Sequence, residues 1–316
     1  MVIESTENQE VNDQFGEVHW LSLRAAAIDI LRTPCPVVKA RKTEVALRRW
    51  KEGDLPVTLG AEPDLVPDSP ARPAIIGKGK AKGGSMKAMI HGVCHAESYA
   101  IDLMWDSVAR FALGDGEGGA APPEAFFDEW VQIACEEARH FSAWAEHLKD
   151  RYAISYGDLP THDMLWEVAA ATKHSLRARL AVVHLIHEAR GLDVAPAMRA
   201  RCVRAQDMKA VEILDRNVVQ EVGHVRAGVR WFIHLSRSLA DADPQEEFLR
   251  LARTFVNPGS YVVKRPLNPE LRLKAELPES WYLPLAEDEP QDQPSEEPDE
   301  SVQGSLLLSA TPQRAA

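Results

Sequence analysis

Apolar residues recur along this chain at helical spacing, and in four long stretches a glutamate interrupts the apolar stripe. Between Met86 and Leu113 the stripe reads Ile90, Val93, Glu97, Ile101, Met104 and Val108, the period of a helix with one buried face. A second helix, opened by Pro122 and Pro123 with Glu124 in its first turn, carries Phe126, Trp130, Ile133, Glu137, Phe141, Trp144 and Leu148. A third, with Thr161 as its cap, includes Leu165, Trp166, Leu176, Leu180, Val183, His184 and Glu188, and Gly191 is expected to stop it. Pro196 then opens a short helix. A fourth long helix, about Asp207 to Ser238, turns Val211, Leu214, Val218, Glu221, Val225, Gly228, Phe232 and Leu235 inward. Strand-type alternation is sparse.

The expected fold is therefore all-α, a four-helix bundle over residues 85–240 with additions at both ends. Residues 1–17 read as a disordered tail and 18–84 as a helix followed by an extended strap. That first helix, from Val18 to about Leu31, is stopped by Pro34 and Pro36, and a basic segment from Lys39 to Lys51 follows it. Residues 241–285 read as a helix near 245–256 and an extended segment packed on the bundle, and 286–316 as an acidic disordered tail. The glycine–lysine run at 77–85 lacks the GxxxxGK[ST] order of a phosphate loop and follows no strand. It is read as a flexible loop ending on the helix cap Ser85.

Charge changes this picture little. The net charge is −12, but residues 287–300 carry eight acids and residues 1–17 carry five, so the body between them is close to neutral. Such tails do not argue for a cationic partner. Cys35, Cys94, Cys135 and Cys202 form no CxxC pair, which fits a reducing compartment. No signal sequence or membrane-length apolar run is visible, and the expected location is the cytoplasm. Lys173, Arg177, Arg179, Arg199, Arg201, Arg204 and Lys209 cluster in sequence around the third and fourth helices. Interspersed acids make a solvated face the better reading than an RNA-binding patch.

The chemistry lies in the interrupting residues. Glu137-Ala138-Arg139-His140 and Glu221-Val222-Gly223-His224 repeat one ExxH spacing, which sets a carboxylate and an imidazole one turn apart on one face. Glu97 and Glu188 each precede one of these pairs. The order Glu, ExxH, Glu, ExxH on four helices is the ligand set of a di-metal carboxylate bundle. Four buried glutamates without cations would repel one another or take up protons, whereas two divalent ions balance them. In that arrangement Glu137 and Glu221 bridge the ions, Glu97 and Glu188 are terminal ligands, and His140 and His224 bind one ion each. Iron is favoured, with manganese or a mixed pair as alternatives. His184, His95, Tyr99 and Trp144 are candidate outer-shell residues, although core packing explains each of them as well. His187-Glu188 is no zinc-peptidase motif, because the position four after His187 is Gly191.

The motifs His91-x3-His95-Ala96-Glu97, Glu136-Glu137-Ala138-Arg139-His140-Phe141, Glu188-Ala189-Arg190-Gly191-Leu192-Asp193 and Glu221-Val222-Gly223-His224-Val225 resemble a ferritin-like family known as domain of unknown function 455. The likeness extends to Pro266-Leu267-Asn268-Pro269-Glu270-Leu271-Arg272-Leu273-Lys274-Ala275 and covers roughly 20–284. It implies a ferritin-like bundle but no particular reaction. Two departures stand out. Gln220 occupies the position before Glu221 where the family leads one to expect an acid. Trp144 stands one turn after His140, where small subunits of ribonucleotide reductase carry a radical tyrosine.

The leading functional expectation is an oxygen-dependent oxidoreductase, a hydroxylase or oxidase acting on a small molecule or a modified macromolecule with an external electron donor. Nucleic acid is disfavoured as a partner, and a membrane is not expected. A metal-handling protein (ferroxidase, storage or peroxide detoxification) and a structural bundle with a stabilising metal are the alternatives.

Overall fold

The computed structural model describes residues 19–60, 65–72, 85–161, 163–237, 243–255 and 263–286. The expected tails at 1–17 and 287–316, and the glycine–lysine run at 77–84, lie outside the described residues. The fold is all-α. An isolated parallel bridge pairs Val263 with Ala286. No helix among the described residues is long and apolar enough to cross a membrane.

Helix α1, Leu23–Leu31, begins later than the expected Val18, because the Ser22 side chain caps it by accepting from the Ala25 amide at 3.0 Å. The basic segment proves to be a second helix, α2, Pro36–Lys51, with the proline in its first turn. Its buried face is Pro36, Lys39, Ala40, Thr43, Ala46 and Leu47. Lys39 and Thr43 disguise the stripe, yet each has a partner: Lys39 pairs with Asp102, and Thr43 accepts from Trp105 Nε1 at 2.9 Å. The irregular strap then completes α1. Pro56 and Val57 carbonyls accept from the Leu23 and Arg24 amides at 2.8 and 3.1 Å, and Ala71 donates to the Leu31 carbonyl at 2.7 Å. These are end groups that a helix cannot satisfy itself.

Helices α3, Met86–Phe111, and α4, Glu124–Tyr152, pack side by side, with α1 against α3 and α2 against α4. Ser85 caps α3 through the Ala88 amide at 3.3 Å. The third stripe is not one helix, and Thr161 does not cap it. It divides into α5, Met164–Ala171, and α6, Leu176–Arg179, which runs into a π-helical stretch, Leu180–Glu188. Fully buried Arg179 enforces the break. It donates to the Ala169 carbonyl at 2.7 Å and to Thr172 Oγ1 at 3.0 Å, and it reaches Asp106 at 2.7 Å.

Gly191 does not stop the next segment and Pro196 does not open a separate one, since both lie inside α7, Ala189–Arg204. A proline in a helix interior leaves the carbonyl four residues earlier without its N–H partner. Here that carbonyl belongs to Leu192, and Asn268 Nδ2 takes it up at 3.3 Å. Asp193, one residue on, makes a buried two-point ion pair with Arg272 at 2.9 and 2.7 Å. The glycine- and aspartate-bearing motif after Glu188 and the closing motif at 266–275 are thus two halves of one contact.

Helix α8, Met208–Arg237, packs against α4, α7 and the π-helical stretch. Gly228 permits its closest approach, because a Cβ there would lie 2.7 Å from that of His184. Helix α9, Pro244–Phe255, lies where a helix near 245–256 is expected, while the short helices α10, Pro269–Lys274, and α11, Glu279–Tyr282, take up much of the expected extended C-terminal segment. Trp105, Trp130, Trp144, Phe126, Phe127, Phe141 and Phe232 are all but completely buried.

Candidate metal centre

Helices α3, α4 and α8 bring Glu97, Glu137, His140 and Glu221 together, with one potential ligand atom from each lying within 4.8 Å of all the others. His140 Nδ1 lies 3.5 Å from Glu97, 3.4 Å from Glu137 Oε2 and 3.2 Å from Glu221 Oε1. The second imidazole joins from the other side, with His224 Nδ1 2.8 Å from Glu137 Oε1 and 3.6 Å from Glu221 Oε2. Each of the two ExxH glutamates therefore offers one oxygen to each histidine. That is the disposition of carboxylates able to bridge two cations.

Glu188 approaches from the end of the π-helical stretch. His184 Nδ1 holds its Oε2 at 2.6 Å, and its charge couples to those of Glu137 and His224. His184 thus fixes a carboxylate while its ring edge meets Trp130. Trp144 lies beside the cluster and, with the Asn217 amide oriented to satisfy both neighbours, donates to Asn217 at 3.1 Å. His95 and Tyr99 face the strap. His95 Nδ1 is 2.9 Å from the Tyr156 hydroxyl, and Tyr99 donates to Asp163 at 2.7 Å with Arg72 stacked on its ring.

Two residues to which sequence reasoning assigned no firm contact complete the arrangement. His140 Nε2 donates to Gln220 Oε1 at 2.9 Å, and His224 Nε2 donates to Glu136 Oε2 at 2.9 Å. Each residue immediately before an ExxH glutamate therefore orients the histidine of the opposite helix. With Nε2 engaged, Nδ1 is the atom aimed at the carboxylates in both rings. The repeat of a glutamate or glutamine before each ExxH is the signal in the sequence.

The electrostatics fit a cation site. Burial pushes the Glu97 carboxyl up to about 8 against the pull of His140. Burial also raises Glu188, and there His184 opposes it. Burial disfavours the Glu137 and Glu221 charges too, but the neighbouring imidazoles overcome it and hold both carboxyls below their ordinary range. Reciprocally, the carboxylates raise His140 and His224 well above their ordinary value despite burial. These shifts favour protons on Glu97 and on both imidazoles in the absence of a cation.

Divalent cations would displace those protons. Buried Glu137 Oε2, Glu188 Oε1, His140 Nδ1 and His224 Nδ1 make no hydrogen bond, although their neighbours lie at contact distance. Unsatisfied donors and acceptors converging in this way are what a shared ligand would relieve. The residues fit a metal, and their mixed oxygen and nitrogen donors suit iron or manganese.

A cavity of about 340 Å³ opens on the cluster, and Glu97, Glu137, Glu188, Glu221 and Trp144 are among the residues lining it. It accounts for the side-chain exposure of Glu97 (12%), Glu188 (10%) and Glu221 (19%), against 2% for Glu137.

Five of the seven basic residues singled out from the sequence are engaged by acids. Lys173 pairs with Asp68, Arg177 with Glu117 and Glu247, Arg179 with Asp106, Arg199 with Asp215 and Lys209 with Glu212.

Among known proteins, a relative from Haemophilus influenzae described as an uncharacterized protein is 35% identical over 194 residues, 60% of this chain and 63% of that one. The match thus spans less than two thirds of the relative's length. No solved structure matches. A family model matches residues 32–283, from the end of α1 to just past α11. The chain belongs to that family, described as Protein of unknown function (DUF455).

Proposed function

We propose that this chain is a ferritin-like di-metal carboxylate protein that catalyses an oxygen-dependent oxidation, as a hydroxylase or oxidase. The observation that carries the reading is the double span of Glu137 and Glu221, each with one oxygen toward His140 and the other toward His224. Glu97 and Glu188 would complete the ligand set as one terminal carboxylate per ion. Iron or manganese bound there would supply the electrons for reducing dioxygen.

The chain's own residues have separable tasks in this reading. Gln220 and Glu136 keep the two Nδ1 atoms turned inward. His184 steadies Glu188. Buried Trp130 and Trp144 add low-polarity walls beside the carboxylates, which strengthens the charge interactions among them. Hydroxylation consumes two electrons beyond those the substrate provides, so the reading includes an external electron donor. A cavity reaching the carboxylates favours a substrate-transforming role over storage of metal alone.

The deciding experiment measures metal by mass spectrometry on protein purified without chelator, beside the Glu137→Ala/Glu221→Ala double variant. About two iron or manganese atoms per chain, lost in the variant, are expected. Ferrous protein prepared anaerobically should then oxidise in air faster than free iron. Absence of bound metal after reconstitution would overturn the proposal.

A further inference from the structure

The cavity beside the carboxylates has a composition that selects its occupant. Its wall is apolar, with Met89, Val93, Leu165, Val194, Met198 and Val218 contributing from four different elements. Among the described residues lining it none is lysine or arginine, so away from the metal cluster the wall offers an anionic group no cationic side chain. Apart from the carboxylates, His187 and Asn217 are the hydrogen-bonding side chains of acid, amide or imidazole type in the lining. The Asn217 amide is engaged by Ile213 and Trp144. The space itself comes from small residues. Gly92, Ala96, Ala100, Gly191 and Ala195 line it, and a Cβ added at Gly92 or Gly191 would meet nothing within 4 Å. Its volume of about 340 Å³ falls at the small end of ligand pockets, which run from about 300 to 1,000 Å³.

We propose that this cavity is the binding site for an uncharged, predominantly hydrocarbon small molecule, held by its apolar body with at most one hydrogen-bonding group directed to His187. The inference deepens the oxidoreductase reading by naming its substrate class. The binding itself depends on the wall and not on metal. Phosphorylated compounds and a nucleotide within a polynucleotide are disfavoured, because the apolar described wall leaves such polar, charged bodies without partners.

The test uses the full chain, metal-free and metal-loaded, with the neutral fluorophore N-phenyl-1-naphthylamine as probe. Decanol and decanoate serve as competitors that share a ten-carbon chain and differ in the charge of the head group. Saturable probe binding is expected, with decanol displacing the probe at least tenfold better than decanoate. Ala100→Phe and Val218→Phe, which fill the cavity from opposite helices, should each weaken probe binding at least tenfold while metal content stays unchanged. Val218 is half-exposed, so its variant keeps the test decisive should Ala100→Phe fail to fold. Absence of saturable binding, equal or tighter displacement by decanoate, or unchanged binding in the folded filling variants would overturn the proposal. A protein that binds the probe with neutral preference but holds no metal would sink the oxidoreductase reading alone. One that holds metal but not the probe would sink only this one.

Discussion

Gln220 lies 2.9 Å from the Nε2 of His140, where the symmetry-like counterpart on His224 is the carboxylate of Glu136 at the same distance. The two imidazoles therefore differ in basicity, because an amide oxygen polarises a ring N–H less than a carboxylate does. Gln220→Glu should raise metal affinity at the His140 position by about 10–100-fold, and Glu136→Gln should lower it at the His224 position by a similar factor. Competition of Mn²⁺ against a coloured chelator measures both. Equal affinities in wild type and variants would show the asymmetry to be without effect.

Stability of the metal-free protein should fall as pH rises. Glu97 is raised from 4.5 to about 8 on folding, so its contribution is fully present below 4.5 and is lost as pH climbs through 8. His140 and His224, raised above 6.5, act in the same direction. Glu137 and Glu221, held low, lose their contribution only on the acid side, below their ordinary 4.5. Thermal melts of chelator-treated protein should thus show a falling Tm between pH 6 and 9, about the range those raised groups cover. Metal should abolish most of the slope, and a flat profile without metal would contradict this account.

Gly228→Ala should destabilise the fold although alanine is the better helix former. The added methyl would sit 2.7 Å from His184 Cβ, which is fixed to the backbone of the π-helical stretch and cannot swing away. Overpacking of this kind costs roughly 1–3 kcal/mol, read from urea unfolding. Because His184 holds Glu188, the same variant should also bind metal more weakly.

Arg272→Met should cost up to about 3–5 kcal/mol, the usual effect of breaking a buried ion pair, with the Asn268 amide at 2.9 Å and Arg190 at 3.7 Å left to Asp193. Asp193 would then lose both arms of its ion pair. The double variant Arg272→Met/Asp193→Leu should recover much of the loss, since it removes the orphaned charge. Chemical denaturation of the two variants beside wild type measures the difference.

The stripe periodicity points to Glu97, Glu137, Glu188 and Glu221 because a carboxylate in an apolar row has no other ready explanation, and the fold gathers them around one cavity. What periodicity does not carry is contact between helices. Nothing local pairs Glu136 with His224, 88 residues away. Helix α2 is hard to read for the same reason, since Lys39 and Thr43 look solvent-facing until Asp102 and Trp105 of α3 are placed against them. The third stripe misleads through its own strength. Its apolar spacing runs on unbroken, while the break at Thr172–Ser175 is made by Arg179 bonding backward to Ala169 and Thr172. Gly191 and Pro196 are sound local stop signals, overridden by a segment that lies far along the chain.

That override has a consequence for the order in which the molecule can be made. The amide of Asn268 takes the Leu192 carbonyl that Pro196 leaves without a partner, and the helix it completes begins directly after Glu188. During synthesis, Glu97, Glu137, His140, Glu188, Glu221 and His224 all leave the ribosome before Asn268 does. A nascent chain thus holds every candidate ligand while the helix behind one of them still lacks a rung, and only the late arrival of Asn268 sets it.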